Sequence, residues 1–514
     1  MRLVSFLDKG ASLDPAAPCL VTDDTTLSYA VVQELSYAVA SALGASGVQP
    51  GTSVAILSAN DPIAFSAVFG ISRSGAVWCP INPRNEATEN AELLGLFDCA
   101  VVIHQQSFSP MVAAIRDSLP DVHTWVCLDG EAPGSSTWDE FLARGAVDDE
   151  GAARIDRDAV DDVAMIVGTG GTTGRPKGVV LTGANLEAMT AITLMGYPFE
   201  GVPTYLALAP LTHAAGVLCF PILCHGGSIV IMRTPDVGGF IANIEKHRVT
   251  HTFLPPTLIY MVLGHEALDA ADLSSLQCFW YGAAPMSVDR LREALERIGP
   301  VMAQLFGQTE APMMISLLPP SEHFTPNGQV AEGRLASAGR PAPLVTVAIM
   351  DESGRLLPSG ERGEIVVRGS LVMRGYHRNP EATAEASRHG WHHTGDIGYL
   401  DADNYLFIVD RAKDMIITGG FNVYSTEVEQ ALMAHPGIRD CAVVGLADEK
   451  WGERVVAVVQ AQPGTDVVPA DVIAFVKERL GSVKTPKDVW VWDDLPRSKV
   501  GKVLKSEIKA QLLA

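Results

Sequence analysis

The sequence predicts an α/β protein in which a large N-terminal domain of mixed and parallel sheets flanked by helices precedes a small α+β domain. Three observations predict it. The chain has 514 residues, more than one hydrophobic core usually organises. Strand-like and helix-like segments alternate from Leu27 to about Leu400, the rhythm of βαβ units. Near Arg411 that rhythm gives way to a compact unit of about a hundred residues, the scale of a small independent domain.

In chain order, residues 52–57 read as a strand and Pro62–Arg73 as an amphipathic helix, and 76–81 and Cys99–His104 as further strands. Apolar runs at 163–167 and 179–181 bracket a glycine-rich segment. Residues 204–209 then read as a strand, 213–224 as helix, 228–232 as a strand, 239–247 as a helix, and 250–254, 276–281 and 301–305 as strands. In parallel sheets of this kind the loops that carry function lie at the carboxyl ends of strands, which is where 306–310 falls. The second unit reads as a helix at 424–433, strands at 442–446 and 455–460, a helix at 469–480 and a strand at 488–492. The boundary is placed at 410–414, giving domains 1–410 and 411–514. No repeat with a period of 20–50 residues interrupts this plan.

Composition narrows the classes of function. Hydrophobic content of 47% and charged content of 19% are those of an ordinary globular protein. A net charge of −22 argues against nucleic acid or an anionic membrane as the main partner. The sign reverses locally: residues 484–514 hold seven Lys/Arg against four Asp/Glu, which suits anionic small ligands or simply a solvated helix. The eight cysteines are scattered without zinc-like spacing. No run approaches the ~20 apolar residues of a membrane helix, the first residues lack a signal-peptide pattern, and the last carry no peroxisomal tripeptide. A reducing cytoplasm is the expected location, without stable membrane insertion.

The most informative segment is Gly168-Thr169-Gly170-Gly171-Thr172-Thr173-Gly174-Arg175-Pro176-Lys177-Gly178. Glycines let backbone N–H groups approach an anion, threonines add donors, and Lys177 adds a point charge. Both flanks read as strands, so the anion site is a loop and not a helix N-terminus. The spacing fits neither G-x-x-x-x-G-K-[ST] nor G-x-G-x-x-G. A flexible surface hairpin is the bland alternative; it seldom concentrates three threonines, a lysine and five glycines.

This segment resembles the T-S-G-T-T-G-x-P-K-G signature of the adenylate-forming enzymes: acyl-CoA synthetases, peptide-synthetase adenylation domains and luciferases. Four further segments resemble the family's motifs in the same order. They are Phe306-Gly307-Gln308-Thr309-Glu310 (Tyr-Gly-x-Thr-Glu), Trp391-His392-His393-Thr394-Gly395-Asp396 (W-x-x-T-G-D), Asp410-Arg411-Ala412-Lys413-Asp414 (G-R-x-K-D, with Asp410 in place of Gly) and 496–502 (P-R-x-x-x-G-K).

The resemblance, most like acyl-CoA ligases, implies a two-step reaction. A carboxylate attacks the α-phosphate of ATP, releasing pyrophosphate, and a thiol then displaces AMP. Catalysis then rests on positive charge and positioning. Lys502 is implied to meet both the carboxylate and the α-phosphate, while Lys499 and Lys505 read as surface charges. Glu310 is implied to hold Mg²⁺, which binds through few carboxylates plus phosphate oxygens and water. Thr169, Gly170, Gly171, Thr172, Thr173, Gly174 and Lys177 are implied to cradle the phosphates. Phe306, with Gly307 and Thr309, and Gly282, Ala283 and Ala284 are implied to border adenine, where an aromatic face can stack. Asp396 and Arg411 are implied to take the ribose hydroxyls; an ordinary Asp–Arg surface pair is the competing account.

Residues 210–216 resemble the family segment whose His213 guards the carboxylate end of the acyl site; a capping or packing histidine is the alternative. Ala214, Ala215, Gly216, Trp280, Tyr281 and Met313 are candidate walls. Small residues on one side suggest room for something bulkier than acetate, and none of the walls is an obvious partner for a second charge. No Phe-Asp pair lies near His213 of the kind adenylation domains use to hold an ammonium, which favours an apolar monocarboxylate over an amino acid. Gly419 and Gly420 resemble the loop that a mobile small domain presents to the pantetheine arm of coenzyme A, with Lys413 as pivot. The implied cofactors are therefore ATP, Mg²⁺ and coenzyme A. An acyl-AMP ligase acting with a carrier protein, an enzyme of one half-reaction working with a partner ligase, and a nucleotide-binding regulator remain alternatives.

Gly170 stands where the family usually has Ser, removing one donor toward the pyrophosphate end. The Gly170→Ser variant is expected to bind ATP more tightly or exchange pyrophosphate faster than wild type; an unchanged or lower exchange rate counts against this.

Overall fold

The computed structural model describes residues 1–145, 155–157, 163–169, 176–212, 214–497 and 503–513. Its central strands are short apolar runs buried on both faces, as parallel strands between helices are. Five lie parallel in a nine-stranded sheet: Pro18–Val21, Ser228–Ile231, Thr204–Ala207, His251–Leu254 and Cys278–Gly282, with Met302–Gln308 parallel to the last. Antiparallel strands close both edges of this sheet. An eight-stranded sheet is built round Ser53–Leu57, flanked in parallel by Val77–Ile81 and Cys99–His104. It ends in the antiparallel hairpin Val163–Thr169/Lys177–Thr182 and the edge strand Gly375–Tyr376.

Side chains alternate across each strand, so each sheet feeds two cores. Val54, Ile56, Cys278 and Trp280 enter a core shared by both sheets. Ala55 and Leu57 face an outer layer with Leu94 and Val112, and Phe279 and Tyr281 face another with Phe240 and Leu291. The Pro62–Arg73 helix joins the shared core, and every residue in it but Ile63 is buried. It is thus not the amphipathic helix the pattern predicts, because packing surrounds it on all sides. Its one charge, Arg73, is fully buried and is matched by Asp8 at 2.6 Å, Asp156 at 3.1 Å and Ser36 Oγ at 2.9 Å.

Two further expectations change. The predicted helix 213–224 is two short helices, Ala214–Val217 and Cys219–Cys224. The Pro221 ring would collide with the Val217 carbonyl of a continuous helix and offers it no N–H. The strand–helix alternation also stops well before Leu400. Val345–Met350, Gly363–Gly369, His392–Leu400 and Leu406–Arg411 form a four-stranded antiparallel sheet.

After Arg411 comes a five-stranded sheet centred on the long hairpin Ile438–Asp448/Gly452–Ala461. The helix Ser425–Met433 packs on it, and its N-cap, Tyr424, supplies no side-chain acceptor. Asp410 does so from outside: its carboxylate accepts the Ser425 N–H and the Ser425 hydroxyl at 2.8 and 2.9 Å. Lys505 completes the cluster, donating to Ser425 Oγ at 2.6 Å and pairing with Glu429 at 2.7 Å. Lys505 is therefore not a surface charge; its side chain is 18% exposed and that of Glu429 is 19% exposed. Burial raises the pKa of both Asp410 and Glu429. Burial opposes the Lys505 ammonium, but the two carboxylates outweigh it and its pKa is raised.

Removing one partner of such a pair strands the other. Lys505→Met should destabilise the small unit by about 3 kcal/mol in urea unfolding, with Lys505→Met/Glu429→Gln recovering most of the loss. A single variant as stable as wild type contradicts the pairing.

Candidate active site

The glycine-rich segment springs from the Val163–Thr169/Lys177–Thr182 hairpin, in which Gly168 faces Gly178 and Thr169 faces Lys177. Both glycines are forced by close packing: a Cβ on either would lie 2.8 Å from Leu93 or Phe97. Gly170, Gly171, Thr172, Thr173, Gly174 and Arg175 lie outside the described residues, as do His213 and 498–502 with Lys499 and Lys502. Lys177 sits at the mouth of the hairpin, with its Nζ 4.9 Å from the centre of the Tyr376 ring.

The segment 306–310 is not a loop after a strand. Phe306 and Gly307 belong to the strand Met302–Gln308, and Thr309 and Glu310 alone turn the chain into Ala311–Leu318. Gly307 permits this tight return, since a Cβ there would lie 2.4 Å from the Met313 nitrogen. Met313 itself takes φ +63°, a left-handed conformation costly for any residue with a Cβ. The turn projects Glu310, whose Oε1 accepts the Tyr376 hydroxyl at 2.8 Å and whose carbonyl accepts the Met373 N–H at 2.7 Å.

Gln308 links this turn to the 391–396 segment. Its amide donates to the Thr394 carbonyl at 3.2 Å, and its Oε1 lies 3.0 Å from His392 Nε2. Burial lowers the pKa of His392, so this imidazole is held neutral as a hydrogen-bonding group. Asp396 is 4% exposed and stands directly across the sheet from Arg411, whose Nε is 2.7 Å from Oδ1. The Asp–Arg pair is thus real and largely buried on the carboxylate side, while Arg411 keeps about half its side chain in solvent.

On the neighbouring strand end, Gly282 lies against the Leu305 carbonyl, 2.3 Å from where its Cβ would be. Ala283 is exposed with φ +65°, and Ala284 is half-buried. The expected acyl walls fare unevenly. Trp280 has no exposed surface and is enclosed by Tyr197, Tyr205 and His251. Tyr281 points to the opposite face and bonds His323 at 2.9 Å. Neither side chain meets an open site, because adjacent strand residues face opposite cores. Ala214 begins the short helix Ala214–Val217. Ala215 is 1% exposed, and a Cβ on Gly216 would lie 1.9 Å from the Leu211 carbonyl, so these small residues serve packing. Met313, and Phe306 beside it, are partly buried apolar side chains packed against the shared core.

Sequence reasoning missed Asn60 as well as Tyr376 and the amide role of Gln308. Asn60 accepts the Leu211 N–H at 2.8 Å and donates to the Ala209 and Met232 carbonyls at 3.2 Å each. It thereby shapes the segment leading to His213. A lone Asn after a strand gives no sequence signal, whereas Gln308 and His392 stood inside segments already singled out.

In the small unit Lys413 is exposed. Gly419 and Gly420, with φ +57° and +81°, form the two-residue turn between Ile416–Thr418 and Phe421–Val423 that only left-handed residues make easily. Gly419 donates its N–H to the Trp451 carbonyl at 2.7 Å. The Trp451 ring is 41% exposed, with Lys450 and Lys487 ammonium groups 4.9 and 6.0 Å from its centre.

Among the described residues no cluster of three His, Cys, Asp or Glu could hold a metal, and Glu310, joined to the hairpin through Tyr376, offers one carboxylate. That fits an ion bound mainly by phosphate oxygens and water. Comparison with known proteins gives a concordant picture. The model of the AMP-binding enzyme family matches residues 7–377, and that of the AMP-binding enzyme C-terminal domain matches 427–502. The chain is 36% identical to a feruloyl-CoA synthase of an Amycolatopsis species over 99% of this chain and 98% of that protein. It is 41% identical to the medium/long-chain-fatty-acid–CoA ligase FadD8 of Mycobacterium tuberculosis over 68% of this chain and 62% of that protein. The solved amide bond synthetase McbA of Marinactinospora thermotolerans superposes with a TM-score of 0.90 at 30% identity, covering 99% of each chain.

Proposed function

This chain belongs to the AMP-binding enzyme family and is an ATP-dependent acid:CoA ligase, and we propose that it activates an apolar monocarboxylic acid as an acyl-adenylate before passing it to coenzyme A. One observation carries the reading: the Gln308–Glu310 turn meets two segments distant in sequence, Lys177 through Tyr376 and the His392–Leu400 strand through Thr394. Relatives named for fatty and ferulic acids support an apolar acid.

In this reading the glycine-rich loop and Lys177 take the β- and γ-phosphates, and Asp396 with Arg411 takes the ribose. Phe306 stacks on adenine. A Mg²⁺ held by Glu310 would offset charge on the phosphates. The acid carboxylate attacks the α-phosphate, the P–O bond to pyrophosphate breaks, and Lys502 offsets the charge that accumulates. The unit 411–514 then turns about Lys413 and brings Gly419 and Gly420 to the pantetheine arm. The thiol attacks the acyl carbon and AMP leaves. Trp451, exposed between two lysines beside that turn, is suited to the nucleotide end of coenzyme A. All eight cysteines are free and no described helix is long and apolar enough to cross a membrane, which supports a reducing cytoplasmic setting.

Pyrophosphate release across aliphatic, aromatic and polycyclic acids, with and without coenzyme A, tests the activity. Release with an apolar acid and thioester formation only when coenzyme A is present is the expected result. Release without thioester would point to a carrier protein or an amine as acceptor, and no release with any acid to a regulator. The two half-reactions should also separate. Lys502→Ala should lose adenylate formation yet convert synthetic acyl-AMP, and Gly419→Leu should do the reverse; equal impairment of both steps in both variants contradicts a rotating small unit.

A further inference from the structure

Tyr376 lies in none of the five sequence motifs, yet it touches two of them. Its backbone is pinned on both sides. It pairs with Val179 on the edge of the phosphate hairpin, and its N–H donates to Thr383 Oγ1 at 2.9 Å. The Thr383 side chain fills the space where a Cβ on Gly375 would stand, at 2.8 Å with φ +151°. From this fixed base the half-buried side chain reaches two groups of opposite charge. The hydroxyl donates to Glu310 Oε1 at 2.8 Å, and the ring face lies 4.9 Å from the Lys177 ammonium.

We propose that Tyr376 is the positioning residue of the ATP site, its hydroxyl fixing the Glu310 carboxylate and its ring fixing Lys177 at a set separation. The inference rests on the reading of Lys177 and Glu310 as ATP-binding groups. A carboxylate with one oxygen tied to a donor presents the other in a fixed direction, and a cation resting on an aromatic face keeps its N–H groups free for phosphate. Glu310 comes from the nine-stranded sheet and Lys177 from the eight-stranded one, so neither sheet alone can set their distance. Tyr376 touches both.

The two halves of the side chain separate experimentally. Tyr376→Phe keeps the ring and loses the donor. It should lower kcat for ATP–pyrophosphate exchange roughly tenfold, the effect of one charge-assisted hydrogen bond, with KM for ATP within about twofold. ATP titrated calorimetrically in EDTA should bind this variant as it binds wild type. Tyr376→Leu loses the ring too, and should weaken ATP binding in EDTA as well. Glu310→Gln/Tyr376→Phe should be no slower than Glu310→Gln alone. Additive losses in that double variant, or wild-type affinity of Tyr376→Leu in EDTA, would overturn the assignment. Wild-type exchange by Glu310→Gln and Lys177→Ala would instead overturn the underlying placement of ATP.

Discussion

Residues 370–377 sew two sheets together, and the candidate site exists only where they do so. Asn185 Nδ2 donates to the Ser370 and Val372 carbonyls at 2.8 Å each. Met373 donates to the Glu310 carbonyl at 2.7 Å, Arg374 to the Val180 carbonyl at 3.1 Å, and His377 to the Gly178 carbonyl at 2.7 Å. The last three are backbone donors with little freedom, and each satisfies a group that the edge of a sheet or a tight turn would otherwise leave open. The proposed ATP site needs the glycine-rich hairpin and Glu310 held in one relation. Here that relation passes through eight residues of which Leu371 and Met373 enter the shared core and Gly375–Tyr376 forms the edge strand of the eight-stranded sheet.

Much of this was legible from the residues. Continuous apolar runs such as 99–104 and the glycine-rich loop with strands on both flanks are local signals, and the fold class follows from them. Failures came where neighbours distant in sequence decide. Pro62–Arg73 has polar positions at helical spacing, but Ser66 and Ser72 are buried between the sheets. Lys505 looks like one of several C-terminal lysines until Glu429 and Ser425 meet it. Trp280 and Tyr281 look like pocket walls because the segment is apolar and adjacent to a glycine; which face each takes depends on the register with Phe253 and Leu254.

Two of the eight left-handed non-glycine residues among those described lie beside the candidate site. Ala283 and Met313 hold left-handed φ values without being glycine, and both stand where the sheet's strands end around the Phe306–Glu310 turn. Such conformations persist only when surrounding packing over-determines them. Gly307 and Gly282 supply that packing by letting Met313 and Leu305 main-chain atoms approach where any side chain would block them.

The Asp410–Ser425–Glu429–Lys505 cluster bears on how such enzymes can be recombined. Asp410 ends one sheet while its three partners belong to the other unit. A chimera joined at residue 411, the point that the motif pattern invites, would take the capping carboxylate from one parent and the helix and lysine from another. Joining ahead of the strand that begins at Leu406 keeps the four together, so crossover design for this chain is governed by a charge cluster and not by the visible break between units.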